Sequence, residues 1–112
     1  MSSGHGGPGI RSVSVHQLKA LLDTPGEEPA VLDVREEYEY AQGRVPGARL
    51  VPLMTVPQHV DELPGDRPVY LVCQVGGRSA QAAEYLVAHG VDAVNVDGGT
   101  AEWVRAGYPL QR

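Results

Sequence analysis

The chain has a single cysteine, Cys73, in 112 residues, so no internal disulfide can staple it. Nothing in that argues for an oxidising compartment, and a lone thiol used for chemistry fits a reducing one. No apolar run reaches membrane-spanning length and the N-terminus lacks the basic-then-apolar order of a signal peptide, so a soluble, cytoplasmic protein is expected. Basic charge is in deficit: 9 Lys and Arg stand against 14 Asp and Glu, a formal net charge of -5. That balance argues against a general nucleic-acid or anionic-membrane surface, because each needs a basic face. Arg35, Arg44, Arg49 and Arg78 nevertheless fall in or near the motif-like stretches, which allows a small local positive field. His5, His16, His59 and His89 show no ligand spacing to one another or to Cys73, so no metal is expected, and His59 and His89 read as surface residues of helices. No repeat, linker or low-complexity segment interrupts residues 10–112.

What is present suffices for one domain with a single hydrophobic core. Residues 1–9, rich in Gly and Ser, read as a disordered tail, and residues 10–112 as the domain. Arg11-Ser-Val-Ser14 reads as a short edge strand. Ser14-Val-His-Gln17 has the form of a capping box, opening a helix with Leu18, Leu21 and Leu22 on one face and Thr24-Pro-Gly26 at its end. Ala30-Val-Leu-Asp-Val34 is short and apolar enough for a buried strand, interrupted only by Asp33. Glu36 to Gln42 reads as a brief helix stopped by Gly43, and Val45-Pro-Gly47 as a turn before a strand at Ala48–Val51. Thr55 to Leu63 reads as a further helix capped by Thr55, with Pro57 in its first turn. A strand at Ala93–Val96 and a last helix, Thr100 to Ala106 before Gly107, complete a strand–helix alternation that implies a mostly parallel sheet of about five strands with helices on both faces, an α/β fold.

The chain is organised around Val69-Tyr-Leu-Val-Cys73-Gln-Val-Gly-Gly-Arg78-Ser79, a buried strand, a tight loop and the start of a helix bearing Ala83, Leu86 and Val87 at helical spacing. Gly76 and Gly77 can take positive φ and carry no side chain, so the loop N–H groups can turn inward as an anion cradle. Ser79 is expected to cap the helix, whose dipole also favours negative charge at this end. A thiolate is such a charge, so Cys73 reads as a nucleophile of depressed pKa, with Arg78 placed to hold an anionic substrate. The competing reading, a small buried hydrophobe at a strand end, has less support, because open α/β sheets place their sites at this topological position.

Three ordered segments resemble those of rhodanese domains. Leu32-Asp-Val-Arg-Glu-Glu-Tyr-Glu-Tyr-Ala-Gln-Gly-Arg-Val-Pro-Gly-Ala48 is similar to the family's LDVRE element, short helix and G-H-I-P-G-A turn. Cys73-Gln-Val-Gly-Gly-Arg78-Ser79 resembles its active-site loop, and Asp97-Gly-Gly-Thr-Ala-Glu-Trp-Val-Arg-Ala-Gly-Tyr-Pro109 its C-terminal signature. Arg44 departs from the family's histidine, and Leu50-Val51 from its Asn-Ile. The resemblance implies a single-domain sulfurtransferase that needs no cofactor. Cys73 would take the outer sulfur of a donor such as thiosulfate and pass it from a persulfide to cyanide, a thiol or a protein cysteine. It implies that Gln74, Val75, Gly76, Gly77 and Ser79 bind the substrate through backbone N–H groups, with Arg78 on the donor's oxygens. Asp33 and Arg35 match positions beside the loop and read as supports, since a buried carboxylate needs a partner, here either loop N–H groups or Arg35. Trp103 and Pro46 read as packing and turn residues.

Two rivals stand beside this reading. Phosphatases and some arsenate reductases of related fold also use a cysteine in a strand-to-helix loop, but with five residues between cysteine and arginine, against four between Cys73 and Arg78. A non-enzymatic regulatory or sulfur-carrier module is the other, and it sits poorly with a complete set of cysteine, glycines and arginine.

Overall fold

Short runs of valine, leucine and alanine set three inner strands side by side between two shorter edge strands, and the segments between them supply the helices that cover the sheet. The structure, a computed structural model, describes residues 10–112; the tail expected at residues 1–9 lies outside them. In chain order the elements are β1 (Arg11–Val13), α1 (Val15–Asp23), β2 (Ala30–Asp33), α2 (Glu37–Gln42), β3 (Arg49–Leu50), a 3₁₀ segment (Leu53–Glu62), β4 (Val69–Val72), α3 (Gly77–Ala88), β5 (Ala93–Val96) and α4 (Gly99–Arg105). The strands lie in the order β1-β5-β4-β2-β3. Every pairing between them is parallel, so the sheet is wholly rather than mostly parallel.

β4 lies at the centre, opposite β2 in the register Val31↔Tyr70 and Asp33↔Val72, and opposite β5 with Tyr70↔Val94. A central parallel strand is covered on both faces, which is why Val69, Leu71 and Val72 come in one apolar run and are fully buried. On one face, Leu32, Val69 and Leu71 pack with Val56, Ala82, Ala83 and Leu86 beneath α3 and the 3₁₀ segment. On the other, Val31, Val72 and Val96 pack with Val15, Leu18 and Trp103 beneath α1 and α4. Trp103 is core, as expected, and its indole N–H donates to the Pro109 carbonyl at 2.8 Å. Among the described residues no helix is long and apolar enough to cross a membrane.

The capping box at Ser14 forms as expected. The Ser14 hydroxyl accepts from the Gln17 amide at 3.1 Å and the Gln17 side chain accepts from the Ser14 amide at 2.8 Å. The helix expected from Thr55 does not form as such. A 3₁₀ segment starts two residues earlier, and Thr55 donates its hydroxyl to the Pro52 carbonyl at 2.8 Å instead of capping. With the start at Leu53, Pro57 falls in the interior, where it has no N–H to give the Leu53 carbonyl and its ring crowds that group, so an α-helical ladder cannot run through.

Parallel strands in register bring the carboxyl ends of β2, β4 and β5 to one edge, the place where such sheets build their sites. Beyond β2, the Val34 amide donates to the Val72 carbonyl at 2.9 Å, which keeps the residues after Asp33 beside Cys73.

Candidate active site

Cys73 follows β4 directly and is only 1 % exposed. Its sulfur accepts from the Gly76 amide at 3.0 Å and lies 3.3 Å from the Ser79 hydroxyl. Gly76 makes this approach possible with φ +112°, a conformation that side-chain-bearing residues rarely adopt, and it caps α3. Two expectations are corrected here. Ser79 is not the cap but a buried residue of the first turn of α3, and Gly77 does not use a positive φ, being the first helical residue. The Ser79 hydroxyl also reaches the Gly76 carbonyl at 3.1 Å. Having one proton, it serves the carbonyl while Cys73 is a thiol and turns to the sulfur when Cys73 ionises.

Burial of Cys73 opposes its charged form. Hydrogen bonds from the Ser79 hydroxyl and from the amides of Ser79, Gly76 and Val75 outweigh that cost, and the thiol pKa is displaced below its ordinary 9.0.

The set of the loop's first two amides, those of Gln74 and Val75, is fixed from outside the loop. The carbonyl of Cys73 accepts from the Thr100 amide at 2.8 Å and the Thr100 hydroxyl at 3.0 Å, and the carbonyl of Gln74 accepts from the Ala101 amide at 2.9 Å. In a planar trans peptide the C=O and the following N–H point in opposite directions. Holding these two carbonyls toward α4 therefore turns the Gln74 and Val75 amides the other way, toward the cradle. Gly99 lets α4 come this close: its φ is +58°, and a Cβ there would fall on the Cys73 carbonyl oxygen and within 2.9 Å of the Gln74 carbonyl.

α2 and the turn before it grip the loop at two points. Asp33 is fully buried and takes Arg35 rather than the loop amides as its partner, with Arg35 Nη2 at 2.8 Å and Nε at 3.0 Å. The guanidinium then donates to the Gln74 side chain at 3.2 Å and to the Gly43 carbonyl at 2.8 Å, so the pair reaches the loop through Gln74. Arg78 is not free. Its Nη1 and Nη2 donate to the two carboxylate oxygens of Glu39 at 2.8 and 2.9 Å. The Arg78 hydrogen bonds lower the Glu39 pKa to about 2, with further help from the Glu36 amide, which donates to the same carboxylate at 2.9 Å. Glu39 in turn raises that of Arg78. The Nε–H and the outer N–H donors of Arg78 remain beyond this fork. Val75 adds an exposed apolar side chain to the loop.

Other candidates lie elsewhere. Arg44 stacks 4.4 Å over the Tyr40 ring, Arg49 pairs with Glu62, and His59 and His89 make surface contacts with Glu62 and the Tyr85 carbonyl. Glu39, Gly99 and Thr100 escaped the sequence reading. A signal for Glu39 existed: a Glu three residues after a helix-start position reaches back to the cap amide, which fixes its carboxylate on the Arg78 side.

Two outcomes follow for this geometry. The rate of Cys73 alkylation by iodoacetamide tracks the thiolate, so it falls as pH drops, with a midpoint below 9.0. Ser79→Ala raises that midpoint and slows alkylation at neutral pH by about threefold to tenfold, whereas an unmoved midpoint removes Ser79 from the account. Gly99→Ala lowers stability by roughly 1–3 kcal/mol in urea unfolding and slows the same alkylation; retention of both in full contradicts the role given to the α4 contact.

Comparison with known proteins agrees with this arrangement. The model of the rhodanese-like domain matches residues 14–106. The chain is 40% identical over 91 residues to a sulfurtransferase of Allochromatium vinosum, covering 80% of this chain and 83% of that protein. It is 32% identical over 98 residues to the thiosulfate sulfurtransferase GlpE of Pseudoalteromonas translucida, covering 87% and 91%. The crystal structure of a rhodanese-like domain protein from Staphylococcus aureus superposes with a TM-score of 0.82 at 36% identity, over 92% of this chain and 100% of that one. With a strand-to-helix loop built around one thiol and a domain match that runs from α1 to the end of α4, the chain belongs to the rhodanese-like family.

Proposed function

We propose that this protein is a sulfurtransferase that carries a sulfane sulfur on Cys73. The observation that carries the reading is the ring of donors on the sulfur, the Gly76 amide at 3.0 Å and the Ser79 hydroxyl at 3.3 Å, which favours a thiolate and suits the persulfide anion that replaces it. In the first half-reaction the Cys73 thiolate attacks the outer sulfur of thiosulfate or of a related persulfide donor. The donor's S–S bond breaks and its electron pair leaves on sulfite, or on the thiolate of an organic donor, while Cys73 keeps the transferred sulfur as a persulfide. In the second, cyanide in vitro, or a thiol or protein cysteine in the cell, attacks the terminal sulfur. The Cys73–sulfur bond breaks and the thiolate returns. No oxidant, metal or cofactor enters either step, and no general base is needed once the thiol is ionised.

Arg78 adds its remaining N–H donors beside the cradle, where they suit the oxygens of an anionic donor. The sulfurtransferase names of the relatives support the chemistry, and a lone reduced thiol fits the cytoplasm. The four-residue interval between Cys73 and Arg78, with the Arg78 fork already on Glu39, disfavours the phosphatase reading.

Intact-mass measurement after incubation with thiosulfate or an organic persulfide should show the addition of one sulfur atom, abolished by Cys73→Ser. A wild-type protein that acquires none from any sulfane donor ends the proposal. Arg78→Ala should reduce kcat/KM for thiosulfate by about tenfold and spare an uncharged organic donor; equal losses on both would deny it the anion-holding role.

A further inference from the structure

The two cations that touch or belong to the Cys73 loop each have a carboxylate partner among the described residues. Arg35 is held by buried Asp33, and Arg78 by a two-point fork to Glu39. The positive field at the loop is therefore confined to the amides and helix end around the sulfur, which accommodate one negative sulfur atom. A second negative group carried next to that sulfur, such as the sulfonate half of thiosulfate, meets an arginine whose charge is already cancelled. No further cation stands in the segment before this pair: Glu36, Glu37 and Tyr38 are all exposed there, and Val75 is the exposed residue of the loop. Glu39 is itself well anchored, since it also accepts from the Glu36 amide at 2.9 Å, so its charge stays over Arg78 rather than swinging into solvent.

We infer that Glu39 sets the charge selectivity of Cys73, tuning the site toward organic persulfides with no second anionic group beside the sulfane sulfur, and away from dianionic thiosulfate. This rests on the sulfurtransferase reading and names its donor class. For such a donor, R–S–SH, the Cys73 thiolate attacks the outer sulfur, the S–S bond breaks, and RS⁻ leaves with the electron pair as Cys73–S–SH forms. An R group without charge needs no cation beside the sulfur. Glu39 acts through Arg78 as a specificity-determining partner and touches no reacting atom. The two halves of one ion pair thus have opposite effects on thiosulfate: loss of Arg78 impairs its use and loss of the Glu39 charge improves it.

The test reads the field at the sulfur without any sulfur transfer, so its failure is separate from failure of persulfide formation. Alkylation rates of Cys73 with iodoacetate, an anion, and iodoacetamide, its neutral analogue, are compared for the wild type and Glu39→Gln at neutral pH and low salt. The iodoacetate-to-iodoacetamide ratio should rise about threefold or more in the variant, with kcat/KM for thiosulfate rising in parallel relative to that for an organic persulfide whose R group is uncharged. An unchanged or lower ratio overturns the inference. Should Glu39→Gln fail to fold, the wild type alone still decides: its iodoacetate rate should stay level or rise with ionic strength, because no uncompensated cation draws the anion in. A fall with salt would show that Arg78 acts as a free charge and would overturn the inference equally.

Discussion

Three hydrogen bonds from the start of α4 to the carbonyls of Cys73 and Gln74 hold the Cys73 loop in its shape. They lie outside the cradle and never touch the sulfur, yet peptide planarity makes them decide which way the Gln74 and Val75 amides face. A loop of this length left to itself would place its carbonyls and N–H groups toward solvent in many arrangements. Tying two successive carbonyls to one helix end selects the arrangement with the donors inward. The left-handed Gly99 is the condition for that contact, because any side chain there would occupy the space of the carbonyls it serves.

The thiol is then the place where two large opposing effects meet. Withdrawing Cys73 into the end of the apolar core penalises a charge, and the same withdrawal strengthens every hydrogen bond that reaches it. Donors win because several converge on one atom. The sulfur is therefore both sheltered and ionisable, a combination that a buried cysteine in an ordinary core does not have. Ser79 links the two protonation states, since its single proton has an alternative acceptor in the Gly76 carbonyl when the sulfur does not need it.

Around this centre, the stretch from Asp33 to Gly43 works as an electrostatic brace. Asp33 positions Arg35, which reaches the loop at Gln74, and Glu39 positions Arg78, which is part of α3. Each buried or half-buried charge is satisfied by an opposite one, as burial requires, so the Asp33–Arg35 and Glu39–Arg78 pairs rigidify the site while adding almost no net charge of their own, and the exposed Glu36 and Glu37 leave the stretch negative. On the proposed reading, specificity would depend on how completely the carboxylates cancel the arginines as much as on the arginines themselves.

The fold and the loop that surrounds Cys73 were legible in the chain because their signals are local. A β-branched run reads as a buried strand, a Gly-containing loop after it reads as a turn into a helix, and Ser14 with Gln17 spells its own cap. The helix misread at Thr55 shows the limit, since an interior proline changes the hydrogen-bond pattern only once the true start at Leu53 is known. Ser79 illustrates it again: a serine near a helix start suggests a cap, but whether it caps or faces the sulfur depends on where the left-handed residue falls, and that residue is Gly76. Sequence by itself thus determined the α/β architecture, the placing of the single cysteine at a strand end and the glycines that allow a tight loop. Only the tertiary structure decided that α4 orients the loop and that Glu39 occupies Arg78, because those contacts join residues 27 and 39 positions apart and no local periodicity records them.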